Sequence, residues 1–447
     1  MDARSSTRSN SRPGLPTARF AALAAAVALA TVAAPVAPAW AGSQAPEPVG
    51  AVYIASNSWA GNQIITFPRL ADGTLLPPLP GVSTRGLGSG PGAIPGVATD
   101  PLGSNGSLAV DAKQMRLFAV NAGSNSVSMF KISPGGITLL DTSPSGGTYP
   151  VSLAVNGDTV YVLNAQSNSV ARFAITNGHL SYQQTCVLPA APRPLDSPYP
   201  ATAGHSEQPV ATEAPGQIGL SPDGKHLVVV AKEGPVLTGF PLGQTAGNGE
   251  IDVYSTVPDG TVTNCDSPTT YVLPQNAPDQ GKFPFSFAWT TGGQLLLTEV
   301  FGTGATLAAS AVQPFSLNPD GSLTPISGPV GSGQIAVCWI TVSGQNVYTT
   351  NYLTNDITSY TADRRGSLTL NAPAAGGAQP GMTPLVTPID QALSPDGHFL
   401  YQLSPGNGMV VPFAIDPASG SLTQLSSVSD GLGTGQSPQG IAAVDFN

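Results

Sequence analysis

The sequence predicts an all-β protein, a ring of seven four-stranded blades, on three observations. First, two segments 43 residues apart, FAVNAGSNSVSMFKI (118–132) and YVLNAQSNSVARFAI (161–175), share one plan: an apolar run ending in Asn, a Ser-Asn-Ser turn, and a second alternating strand. Second, parts of that plan recur along the chain at the 40–50-residue spacing of a propeller blade. Third, Gly (52) and Pro (44) are abundant while charged residues make up only 9%, which favours short strands joined by turns over long amphipathic helices.

The first 41 residues stand apart from the repeat. Arg4, Arg8, Arg12 and Arg19 precede an Ala/Val run from Phe20 to about Ala34, and Ala39-Trp40-Ala41 offers the small residues a signal peptidase reads. This is the pattern of a secretory signal. Pro35 and Pro38 interrupt the run, which is short for a bilayer span. The expected mature chain starts at Gly42, with a linker over 42–50 and one propeller over 51–447. That predicts a secreted or cell-wall-associated product with no membrane insertion after cleavage. The leader is basic, so the remainder is more acidic than the −10 of the whole chain. An acidic, Lys-poor surface argues against nucleic acid and anionic lipid.

The blades follow in order. Blade one spans 107–141, blade two 151–186, blade three 216–265, blade four 283–327, blade five 334–371 and blade six 387–428. In blades two to six an early hairpin turn (NGD, SPDG, TGG, SGQ, SPDG) precedes an apolar strand. A second turn carries Asn, as at Asn62, Asn125, Asn168, Asn248, Asn355 and Asn407, and a third carries Gly, as at Gly73, Gly178, Gly260 and Gly420. Tight β-turns need residues that tolerate positive φ, which explains both choices. The piece at 51–77 lacks a first strand, and SPQGIAAVDF (437–446) is a first strand alone. Pairing the N-terminal strands with the C-terminal strand makes blade seven, closes the ring and removes its free edges. A closed ring needs no partner, so a monomer is expected.

LSPDGKHLVVVAKEG, LSPDGHFLYQLSPGN and the VYVLN-x-x-SNSV run resemble the blades of the lactonase family of seven-bladed propellers, relatives of 6-phosphogluconolactonase and of carboxymuconate lactonizing enzymes. The resemblance covers nearly all of the expected mature chain. It implies a lactonase-type hydrolase or a lactonizing cycloisomerase. The family places His, Arg and Glu around the channel, yet the matching strand starts here read PVS, PGQ, PFS, PID and PQG, with neither His nor Arg. His179, His226 and His398 fall in turns on the opposite face, and only His205 lies in a long loop.

The long connections, 78–106, 187–215, 234–249, 301–311, 372–386 and 429–436, all join blades or second to third strands, so they gather on one face. Structureless loops of such length are usually functional or disordered. The third residues of the Pro-x-polar steps, Ser152, Gln217, Ser286 and Asp390, are expected to ring the channel there. A second ring comprises strand-end residues that include Asn121, Asn164, Glu299 and Asn351, with Lys232 and Glu233 just beyond another strand end. Asp390, Glu299, Glu233 and Lys232 are the catalytic candidates, because buried carboxylates with raised pKa can act as bases. Ser152, Gln217, Ser286, Asn351, Asn121 and Asn164 are the ligand-binding candidates. A structural ion pair of Lys232 with Glu233 or Glu299, or a divalent cation in the channel, is the competing reading.

GHSEQ (204–208) lacks the last Gly of a nucleophile elbow and sits in a Pro-rich insertion, where the required strand-to-helix turn is not expected. No Cys/His spacing suggests zinc, and no metal or cofactor is expected. Cys338, in IAVCWITV, reads as a buried free thiol. Export permits a Cys186–Cys265 bridge, although sequence does not fix connectivity. Two functions follow: an exported enzyme opening a small lactone or cyclic ester at the channel mouth, or a non-catalytic propeller binding a small molecule, glycan or protein.

Overall fold

In a computed structural model the described residues are 46–91, 99–189, 209, 214–232, 249–274, 282–300, 310–377, 383–432 and 437–446. They form seven antiparallel sheets. The inner strands are Leu108–Asp111, Pro150–Asn156, Pro215–Leu220, Phe283–Trp289, Val337–Ser343, Ile389–Leu393 and Ile441–Asp445 for blades one to seven. Each touches the inner strand of the next blade all the way round. Blade seven closes the ring as the repeat predicts: Gly50–Ala55 pairs antiparallel with Ile441–Asp445 on one side, with Tyr53 opposite Ala442, and with Gln63–Arg69 on the other.

Second strands read as unbroken apolar runs because both of their faces are covered by neighbouring blades. All six residues of Gly50–Ala55, His226–Ala231 and Leu295–Val300 are buried. Outer strands alternate with solvent, as in His179–Val187. Asn125, Asn168 and Asn355 adopt the expected left-handed conformation, with φ of 51°, 46° and 61°, as do the third-turn glycines, Gly178, Gly321 and Gly366 among them; Asn62 and Asn407 do not, and in blade six Gly408 takes that position with φ of 66°.

Those glycine turns double as docking points between blades. The second-strand Tyr161, Tyr348 and Tyr401 donate their hydroxyls to the carbonyls of Gly260, Gly420 and Gly73, each on the next blade. A buried tyrosine usually finds a partner for its O–H, and here three of them tie adjacent blades together.

Two blade boundaries differ most from the sequence reading. The outer strand of blade three is Thr269–Val272, beyond the expected end at 265, because Thr256 bridges Val262 and a turn holding Cys265 intervenes. The outer strand of blade five runs to Gly376 through two register shifts, so it takes up the start of the expected loop 372–386.

Cys186 and Cys265 are joined by a disulfide, with Cα atoms 5.0 Å apart and a sequence separation of 79. It ties the outer strand of blade two to the outer turn of blade three. Cys338 is the free, buried thiol among the described cysteines. Closing a loop of this length contributes up to about 4 kcal/mol in the chain-entropy view. The paired substitution Cys186→Ser/Cys265→Ser is therefore expected to lower unfolding free energy by about 2–4 kcal/mol in urea titration, leaving the far-ultraviolet circular dichroism unchanged.

Candidate functional site at the loop-rich mouth

The inner strands share one irregularity at their starts. In blades two, three, four, five and six the register with the second strand slips: between Pro150 and Ser152, Pro215 and Gln217, Pro284 and Phe287, Val337 and Trp339, and Ile389 and Gln391. This is a β-bulge, which adds a residue and re-aims the side chains around it. The Pro-x-polar steps of the sequence are its signature in blades two to four.

The bulge divides the candidate residues. Ser152 accepts a hydrogen bond from Ile218 N in the next blade (3.1 Å) and donates to Asn105 O (2.6 Å). Gln217 accepts from Phe287 N (2.8 Å) and donates to Phe287 O (3.1 Å). Ser286 donates to Cys338 O. These side chains lace each inner strand to the next. Asp390 falls in a different class: it occupies the skipped position of blade six, with φ of 46°, and its counterpart in register to Ser152 and Gln217 is Gln391. Cys338 holds the skipped position of blade five.

The strand-end ring is likewise bonded locally. Asn121 donates to Ser126 and Ser128 and accepts from Asn62. Asn164 donates to Ser145 O, and Asn351 to Asp356 and Thr358. Glu299, 1% exposed, pairs with Lys282 across 3.5 Å in a buried ion pair rather than with Lys232. Lys282 precedes an apolar strand and carried no motif that would have singled it out. Glu233 and GHSEQ (204–208) lie outside the described residues, as does the leader.

What occupies the ring's centre is the chain itself. Residues 99–106, TDPLGSNG, lie across the inner strands of four blades. Tyr149 of blade two donates to Pro101 O (3.1 Å), and Ser104 donates back to Val151 O (2.8 Å). Asn105 bonds Gly216 O and Gln217 of blade three through its N–H and side chain. Trp339 Nε1 of blade five donates to Ser104 O (2.9 Å), and Gln439 of blade seven bonds Leu102 N and Asp100. Tyr352 shares a hydrogen bond with Thr99 (2.8 Å).

A dry charged cluster forms around this segment. Lys232 is completely buried, its Nζ donating to Gly103 O and lying 5.2 Å from the Phe285 ring centroid. Burial lowers its pKa, and the facing Asp100 carboxylate partly restores it. Burial raises Asp100, opposed by Lys232 and by hydrogen bonds from Gln439 and Gly103 N. Asp390 is pushed up to about 8, chiefly by burial, with Asp100 adding like-charge repulsion. Its Oδ1 accepts from Gln391 N (3.0 Å), and the backbone N–H groups of Ile441 and Gly440 in blade seven also favour its charged form, against the effect of burial. The Cys338 thiol is raised by burial and by Asp100. Asp100, absent from the candidates, is thus the group that links Lys232, Asp390 and Cys338; its only signal was its place in the long connection 78–106. Among the described residues no group of His, Cys, Asp and Glu is arranged to hold a metal ion.

With the seven blades and this cluster established, the comparisons with known proteins can be read. The profile of the lactonase seven-bladed β-propeller family matches residues 93–195 and 299–436, more than half of the chain. The chain belongs to that family. No curated protein sequence matches it. Among solved structures, the periplasmic gluconolactonase of Pseudomonas aeruginosa aligns at a TM-score of 0.62 and 18% identity, over 89% of this chain and 99% of that one. A Bacteroides fragilis protein provisionally assigned as a 6-phosphogluconolactonase aligns at 0.59 and 20%, over 89% and 98%. A Bacteroides uniformis protein with the same provisional assignment aligns at 0.59 and 19%, over 88% and 99%. At such identities the likeness concerns the fold.

The Asp390 carboxyl gives a direct test of the cluster's electrostatics. Its folded pKa, about 8, lies above the ordinary 3.8. Between those values the folded chain holds a proton that the unfolded chain has released, so stability falls as pH rises, by up to about 1.4 kcal/mol per unit. Asp390→Asn, which tolerates the left-handed backbone, removes this loss. The melting temperature of the variant relative to the parent is expected to climb steadily from pH 5 to pH 8 in calorimetry.

Proposed function

We propose that this propeller is a lactonase-type hydrolase that opens a small sugar lactone or related cyclic ester at the loop-rich mouth of its ring. The observation that carries this reading is the gathering of Asp100, Lys232 and Asp390, all buried, around the connecting segment 99–106. Family membership supplies the reaction class. Groups perturbed by desolvation together with a specific charge partner cluster at functional sites.

The roles follow from the protonation states. Asp390, neutral below about pH 8, can donate a hydrogen bond to the lactone carbonyl oxygen and stabilise the oxyanion, the task for which the strand starts supply no His or Arg. Lys232, made less basic by burial, takes a proton from the attacking water. The water oxygen bonds to the carbonyl carbon, and the ring C–O bond then breaks. The departing alkoxide receives the proton from the Lys232 ammonium, which Asp100 stabilises meanwhile. The product is an open-chain hydroxy acid. Substrate entry requires Lys232 to exchange the Gly103 carbonyl for the ligand.

We also place the enzyme outside the cytoplasm. The basic leader with its apolar run supports that, as does the Cys186–Cys265 bridge, since disulfides persist in oxidising compartments. The non-catalytic binding reading is favoured by one observation: residues 99–106 already satisfy much of the channel's hydrogen bonding.

Proton release from gluconolactone and from aliphatic lactones separates the two. The lactonase reading expects turnover that rises with pH as Lys232 loses its proton and falls as Asp390 ionises near pH 8. Lys232→Met is expected to lower kcat at least 100-fold, and Asp390→Asn to abolish the alkaline fall. No turnover by folded protein across the panel would establish the binding reading instead.

A further inference from the structure

The last of the Pro-x-polar steps, Pro438-Gln439-Gly440, breaks the pattern at its middle position. There the other steps carry Val151, Gly216, Phe285 and Ile389, each apolar or without a side chain. Gln439 is polar and only 1% exposed. A side-chain amide held away from water destabilises a fold unless its donors and its acceptor are paired.

Gln439 pairs all of them. Its Oε1 accepts from Leu102 N (3.0 Å), and its Nε2 donates to Asp100 Oδ1 (2.6 Å) and to Ser104 O (3.3 Å). One amide thus grips segment 99–106 at three residues. Its own backbone N–H donates to Ala55 O (3.0 Å), on the second strand of blade seven. Gln439 therefore arrives with the strand that closes the ring.

The carboxylate it holds is the centre of the buried charges. Asp100 Oδ1 also accepts from Gly103 N (3.0 Å), and two donors on one oxygen favour its ionised form, against the effect of burial. The titratable groups that interact with Asp100 are Lys232 from blade three, Cys338 and Tyr352 from blade five, and Asp390 from blade six. Lys232 is the cation among them, and Asp100 is the group that most favours its charged form. Taking a donor from Asp100 makes that carboxyl harder to ionise. A neutral Asp100 then leaves the Lys232 charge with the Gly103 carbonyl and the Phe285 ring.

We propose that Gln439 is a positioning residue: by holding the Asp100 carboxylate and segment 99–106 in place, it sets the charge of Lys232. The effect on turnover rests on the lactonase reading, in which Lys232 is the base; the coupling of Gln439, Asp100 and Lys232 does not. Gly440 and Ile441, from the same strand start, offer their N–H groups to Asp390. Docking of the C-terminal strand thus supplies donors to both acids at once.

The chain has five lysines, Lys113, Lys131, Lys225, Lys232 and Lys282, so Lys232 can be read on its own. Lysine carrying carbon-13 at Cε is incorporated, the Lys232 signal is assigned by its loss in Lys232→Met, and its titration midpoint is followed by NMR. Asp100→Asn is expected to lower that midpoint by about one pH unit. Gln439→Met fills the same space without the amide and is expected to shift it in the same direction. The double variant is expected to go no lower than Asp100→Asn alone, because Gln439 acts through Asp100. Gln439→Asn, one methylene too short to hold Asp100, gives the same downward shift and replaces Gln439→Met if that variant does not fold. A Gln439 that only anchored the segment would, once removed, admit water and let the midpoint rise. A rise, an unchanged midpoint, or a further fall in the double variant would each overturn the proposal. In lactone hydrolysis by the same variants, the acid limb of the pH–rate profile is expected to move with the midpoint. A parent without turnover refutes the lactonase reading alone, and the NMR midpoint still decides for or against Gln439.

Discussion

The extra residue at the start of the inner strands is the constraint on which the mouth of this propeller depends. Without the bulge, side chains would alternate strictly between the two faces of each blade. With it, Ser152 and Gln217 reach the next inner strand, and the skipped positions are freed for Cys338 and Asp390. One local irregularity thereby does two tasks. It laces neighbouring blades, and it supplies the distinctive residues of the ring's loop-rich end.

The segment 99–106 depends on the same geometry. Its acceptors and donors meet Ser152, Gln217 and Trp339, the residues just past the bulges in blades two, three and five. The consequence is electrostatic. A channel open to water would leave Lys232 and Asp390 near their ordinary protonation states, whereas a channel filled by protein raises one and lowers the other. Burying a lysine near a carboxylate is a poor means of stabilising a fold, because desolvation offsets most of the attraction and packed apolar residues do as well. Keeping Asp100, Lys232 and Asp390 in such surroundings therefore weighs toward chemistry.

The fold was legible because it is written many times. Turn residues such as Asn125, Asn168 and Asn355 adopt the left-handed conformation their recurrence implies, and the broken N-terminal and C-terminal units pair as their missing strands require. Each repeat averages away local ambiguity. The outer strand of blade three escaped because Thr269–Val272 follows an irregular turn with no counterpart elsewhere in the chain.

The site is written once, and that is why it was only half legible. Lys232 and Asp390 could be found as departures from the repeat: a cation and an acid where other blades carry small or neutral residues. Asp100 departs from nothing, because it lies in a connection that has no equivalent in other blades. Its role comes from long-range packing against Gln439, more than three hundred residues away, and no spacing rule reaches that far. Glu299 shows the opposite error of inference. It stood out from its ring as Lys232 stood out near its own, but standing out together did not mean meeting: Lys282, 17 residues before Glu299, takes its charge. Repetition thus identifies the positions where a propeller is free to differ, and only the packing of the non-repeating segments decides which of those differences act together.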